Sequence, residues 1–247
     1  MSAYCIPFQS AKDCFNENTT IENTVELYNF DQDLESIQKV EIFLRTLITY
    51  HIALRYGAFG YADQKNLSPN IDKQKWVNDL NDALQRSKEI YISHYKTKYD
   101  ESKHFPIWIV TEVISFGALS LLFAGLKSSD QNEIAKEFYI NHTVLKSWFH
   151  HLVYIRNICA HHARLWNRKL AIKPKIPIKL SAWHKPFTIQ NDRIFSSLSI
   201  IYYILKRSSE GAGNFKSQLV HLFERYTTIK LSSMGIETDW FKHEIWA

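Results

Sequence analysis

Apolar residues recur along this chain at three- and four-residue spacing, while the two-residue alternation of a half-buried strand is confined to brief runs such as 173–180. That periodicity predicts helices almost throughout. Seven Gly and six Pro in 247 residues supply too little turn chemistry for a sandwich or a barrel. The fold class expected is therefore all-α, a helical bundle with a C-terminal helical extension. A hydrophobic content of 45 % with 14 % aromatics is ample for a core.

The expected elements follow from caps and breakers. A short helix is expected over 20–28. Asp31 and Asp33 open a long one to Tyr56, with Gly57 as its C-cap. One helix covers 72–99 with Trp76, Leu80 and Leu84 on a single face, and one apolar helix runs from Pro106 to Leu126. Asp130 and Glu133 form a D-x-x-E capping arrangement for a helix to about Tyr139. Thr143 caps the helix that follows. Pro174, Pro177 and Pro186 break regular structure over 171–187, before helices at 192–206 and 214–228 and an aromatic tail with Trp240, Phe241 and Trp246. The domain division expected is a core over 1–170 and a Pro-containing connector with C-terminal helices over 171–247, packed as one compact domain.

The run 107–126 is long enough to span a bilayer. Its one charge, Glu112, lies well inside it, where an ionised group is costly, so a buried core helix is expected and no membrane partner. Cys5, Cys14 and Cys159 are an odd, scattered set without C-x-x-C spacing, which suits a reducing cytoplasm. The N-terminal residues carry no basic segment followed by an apolar run, so no secretory signal is expected.

Charge is concentrated in one place. Between Phe138 and Asn191 there is no Asp or Glu, but nine Lys or Arg and six His. Those nine account for more than the overall +5 and leave the rest of the chain at −4. A polyanion would dock there. Within it, the string I-R-N-I-C-A-H-H-A-R-L-W-N-R over 155–168 is expected to form a single helix. Leu152, Ile155, Cys159 and Trp166 fall on its apolar face, and Asn157, His161, Arg164 and Arg168 on the opposite, polar one. Arg156 stands about 140° around the axis from His161. A second helix or subunit must bring their tips together.

These residue types suit metal-independent cleavage of RNA, in which the substrate's own 2′-hydroxyl is the nucleophile. Histidine moves protons near neutral pH, and the arginine fork neutralises charge on phosphate. Arg156 and His161, with Asn157 orienting the ring, are the candidate catalytic set. Arg164, Arg168, Lys169 and His162 are candidate RNA-binding residues. A 2′,3′-cyclic phosphate and a 5′-hydroxyl are the expected products, and DNA should resist. Arg45 and His51 repeat the two types earlier in the chain, though Glu41 is placed to pair with Arg45 one turn away. No cofactor or metal is expected: adjacent histidines among His150, His151, His161 and His162 point in different directions on a helix, and no Cys, Asp or Glu in the window completes a ligand set. Cys159, on the apolar face, reads as core packing rather than as a nucleophile.

The pattern at Arg156, Asn157 and His161 resembles the signature of HEPN domains, helical RNases and RNA-binding modules. The wider string R-N-I-C-A-H-H-A-R-L-W-N-R resembles the hallmark of the Abi-like abortive infection proteins, of the AbiD and AbiF type. L-Y-N-F-D-Q-D-L from Leu27, E-I-F-L-R-T-L-I from Glu41, Y-G-A-F-G-Y from Tyr56, W-I-V-T-E-V-I-S-F-G-A-L-S from Trp108 and M-G-I-E-T-D-W from Met234 agree in order. The resemblance implies a HEPN-like bundle and a bacterial antiphage RNase, kept quiet until infection. It also implies a homodimer whose motif helices face each other, and a non-coding RNA or protein as regulator. Arg156 and His161 match the catalytic pair, Asn157 its polar companion, and Arg45 and His51 an earlier R…H element. Family members begin several dozen residues further upstream, with a helical segment ending in a Y-R-L-S-G-Y-like string, which implies that this copy is truncated. The competing function is a catalytically inactive RNA-binding module using the same basic face.

Overall fold

The computed structural model describes residues 9–11, 14–15, 35–69, 72–99, 104–161, 163, 165, 167–209, 211–225 and 230–247. Their regular elements are helices apart from β1 (Gln9–Ala11) and β2 (Cys14–Phe15), a short antiparallel pair that helical periodicity did not foretell. The helix expected at 20–28 lies outside the described residues.

The chain divides into two compact units, one formed by residues 1–40 and 147–247 and the other by 41–146. The second unit is built on α1 (Glu35–Tyr56), which buries Leu44, Ile48 and Ile52 at four-residue spacing. Gly57 ends it as a C-cap, at φ 76° with its N–H bonded to Ala53 O at 3.0 Å. The single helix expected over 72–99 is two, α2 (Lys73–Arg86) and α3 (Ile90–Lys98). Ser87 is extended between them, its hydroxyl accepting from Glu89 N, a local bond that competes with helix continuation. Trp76, Leu80 and Leu84 are buried together on α2, as their spacing requires.

The apolar run is likewise broken, into α4 (Ile107–Val113) and α5 (Phe116–Gly125). Ser115 is the reason: extended itself, it caps α5 by accepting from Ala118 N at 3.2 Å. Among the described residues no helix is long and apolar enough to cross a membrane. In α6 (Ser128–Lys136) the D-x-x-E expectation fails, because Asp130 sits inside the first turn, fully buried, with Lys127 at the cap. The same unit holds the start of α7 (His142–Ala160), whose cap is Asn141 rather than Thr143: Asn141 Oδ1 accepts from Val144 N at 3.0 Å.

In the first unit α7 continues with Trp148, Phe149, Leu152 and Ile155 fully buried. After it the proline segment carries one short 3-10 turn, Ser181–Trp183, before α8 (Ile194–Leu205), every residue of which is buried. α9 (Phe215–Arg225) follows. The aromatic tail closes the unit: Trp246 lies parallel to Tyr202 with centroids 4.5 Å apart, and its Nε1–H donates to Ser199 Oγ at 3.0 Å. Trp148, Trp183 and Tyr203 form a second aromatic group with centroids 5.1 to 5.7 Å apart.

Candidate nucleic-acid interface

The motif does not ride on one continuous helix. α7 stops at Ala160, and His161 stands in the turn beyond it, although its N–H still reaches Asn157 O at 3.0 Å. Ala163 N then bonds back to Ile158 O at 3.0 Å, a closure of the kind that ends helices. Past it, Leu165 and Leu170 are buried and Asn167 adopts a left-handed φ of 46°, a conformation asparagine tolerates. Burial of those two leucines redirects the chain, so the face expected at helical spacing from Asn157 does not continue as far as Arg168.

What precedes the break keeps its sidedness. Leu152 and Ile155 are fully buried and Cys159 nearly so, consistent with core packing, while Asn157 and His161 are exposed and Arg156 is half-buried. Arg156 Nη1 donates to Asn157 Oδ1 at 3.4 Å. Asn157 thus engages the arginine, where the sequence suggested that it orients the imidazole. His162, Arg164 and Trp166 lie outside the described residues. Arg168 is half-buried, and Lys169 is exposed.

The basic segment is not without acidic partners. Asp192, the first carboxylate after it, lies 3.9 Å from Lys169 Nζ and 3.7 Å from Lys173 Nζ, and Glu244 lies 3.7 Å from Lys185. Both contacts to Asp192 are long and solvated, so they screen these lysines weakly.

The earlier pair divides its loyalties. Arg45 is bound to Glu41 at 2.7 Å, as its spacing suggested, and also donates from Nη1 to Ile114 O at 3.0 Å. His51 is held by Asp130 instead, Nε2 to Oδ1 at 3.1 Å. The same carboxylate takes Arg55 Nε at 3.1 Å and the Tyr56 hydroxyl at 2.8 Å. Burial raises the Tyr56 pKa first, and its bond to Asp130 raises it further. Sequence reasoning missed Asp130, Arg55 and Tyr56. The i,i+4 relation of His51 to Arg55 is visible in the sequence, but the carboxylate that joins them lies 79 residues from His51, where the D-x-x-E pattern suggests a cap instead.

No group of three His, Cys, Asp or Glu among the described residues is arranged to hold a metal. A cleft of about 580 Å³ in the second unit is walled by Trp76, Asp79, Asp82, Glu112 and Leu121 among others, and none of the candidate catalytic or RNA-binding residues lines it. Its carboxylates make it a poor seat for phosphate.

Comparison with known proteins decides the family. Residues 1–167, about two thirds of the chain, match the Abi-like protein family. The chain belongs to that family. Its membership points to abortive infection defence, and the matched span ends just past the motif. No curated protein and no solved structure matches this Abi-like chain.

Proposed function

We propose that this Abi-like chain is a metal-independent endoribonuclease of antiphage abortive infection, working in the cytoplasm on RNA through a HEPN-like motif of the AbiD and AbiF type. The observation that carries the reading is the setting of the motif: His161 and Asn157 are open to solvent at the end of α7, with Arg156 beside them, in a stretch rich in cations. In this reading Arg156 holds the scissile phosphate by its fork. One His161 imidazole takes the proton of the 2′-hydroxyl as O2′ attacks phosphorus. A second, from another copy of the chain, gives a proton to the departing 5′-oxygen. A homodimer supplies both imidazoles and brings arginine and histidine tips together. Arg168 and Lys169, with Arg164 and His162, grip the flanking backbone.

The test is incubation of the purified chain with total RNA and with a DNA copy, in chelator, followed by end-group analysis. Fragments ending in 2′,3′-cyclic phosphate and 5′-hydroxyl, with the DNA intact, support the proposal. Salt-sensitive RNA binding without fragments under any condition replaces it with the RNA-binding module.

A further inference from the structure

The cluster around Asp130 has two groups pointing to a ligand. Asp130 is fully buried, and its Oδ1 is 3.1 Å from both His51 Nε2 and Arg55 Nε, so those two nitrogens lie no more than about 6 Å apart. A carboxylate only accepts, so Nε2 carries a proton, and in the neutral ring Nδ1 is then the acceptor. Among the described residues Nδ1 has no partner. Arg55 is tied to Asp130 through Nε and also engages the Tyr56 side chain, yet its side chain is 44 % exposed, so part of the guanidinium faces solvent. Tyr56 occupies the other carboxylate oxygen.

We propose that His51 Nδ1 and the Arg55 guanidinium together hold a ribose 2′-hydroxyl and its adjoining phosphate, with Asp130 as the buried positioning residue. This rests on the reading that the chain acts on RNA. A lone-pair acceptor beside a guanidinium fork matches a ribonucleotide, whose 2′-hydroxyl donates and whose phosphate accepts; a deoxynucleotide offers only the second. Asp130 sets both groups from one point and is itself out of a ligand's reach. Glu133, a nearby exposed carboxylate, is paired with Lys136 at 2.6 Å and acts on Arg55 and His51 only more weakly. A purely structural clamp requires neither a half-exposed guanidinium nor an imidazole with its acceptor unused. The arginine that works with His51 is thereby Arg55, not Arg45.

The test is fluorescence anisotropy in chelator, with a single-stranded RNA oligonucleotide, its DNA counterpart and its 2′-O-methyl form, on the full chain carrying His161→Ala to prevent cleavage. His51→Leu should weaken RNA binding about fivefold to tenfold, the worth of one hydrogen bond, and leave DNA and 2′-O-methyl RNA unchanged. His51→Gln, whose amide both donates to Asp130 and accepts, should recover part of that loss. Arg55→Gln should weaken all three ligands alike. An RNA-to-DNA ratio unmoved by His51→Leu in a folded chain overturns the inference; should that variant not fold, Arg55→Gln without effect on any ligand does so. If the parent binds RNA but the ratio does not move, only this inference fails. If the parent binds no RNA, the proposed function falls with it.

Discussion

His151 of α7 accepts a hydrogen bond from Ser197 of α8 at 2.7 Å through Nε2, while its Nδ1–H donates to Ile172 O at 2.6 Å. Both ring nitrogens are used and the residue is fully buried, so the ring is neutral in the fold. Desolvation pushes its pKa down to about 4, against a partial opposing effect of the Ile172 bond. An unfolded chain takes up this proton near pH 6.5, before the folded one does. The stability contributed by the neutral ring is therefore complete above about pH 6.5 and is lost progressively as pH falls toward 4, by about 3 kcal/mol in all. Urea unfolding at pH 7, 5.5 and 4.5 should show this decline, and His151→Gln should flatten it. Equal slopes in the two proteins would show that His151 is not its source.

Asp130 gathers three donors from the end of α1, two of them cationic or able to become so. Removing the carboxylate leaves Arg55, His51 and Tyr56 without their common partner. Asp130→Ala is expected to cost about 3 kcal/mol, the usual range for breaking a buried ion pair. Replacing Glu133, whose pair with Lys136 is exposed, should leave the melting midpoint nearly unchanged. Thermal melts of the two variants decide the point: similar midpoints would mean that Asp130 is held by packing alone.

The sequence carried the long elements and lost the interruptions, for physical reasons. α1 with its Gly57 cap, and the Trp76, Leu80, Leu84 face of α2, follow from spacing alone. The breaks at Ser87 and Ser115 did not, because serine is compatible with either state and its hydroxyl bonds settle the matter only in three dimensions. The end of α7 was hidden in the same way: burial of Leu165 and Leu170 overrides a periodic pattern that continues past Ala160. In the candidate site, the identities of Arg156, Asn157, His161 and His51 were legible from residue type and spacing. The partner of His51 was not, since Asp130 is 79 residues away and no local pattern links them.

Arg156 and His161 make a sharper mutational case than Asp130 because little of the fold depends on them. His161 is exposed, and Arg156 has a long 3.4 Å bond to its own neighbour. Arg156→Ala and His161→Ala should each abolish toxicity on overexpression while shifting stability by less than about 1 kcal/mol, as surface substitutions do. Arg168→Ala should weaken RNA binding and flatten its salt dependence without moving the cut position. Large destabilisation by both of the first two changes would identify them as structural residues.

Asp192 offers a test of the basic segment that adds affinity instead of removing it. Its carboxylate sits 3.9 Å from Lys169 and 3.7 Å from Lys173, both on solvated side chains, while its backbone carbonyl accepts from Leu170 N at 2.9 Å. Asp192→Asn keeps the backbone bond and removes one negative charge facing two lysines. If this surface meets the phosphate backbone, RNA affinity at low salt should rise a few-fold, and the slope of log affinity against log salt should steepen by up to about 1, as an additional cation becomes available to phosphate. The measurement is a salt titration of RNA binding with the unaltered chain and the variant in parallel. Unchanged affinity and slope would place the RNA path away from Lys169 and Lys173, confining contact to the residues nearer His161.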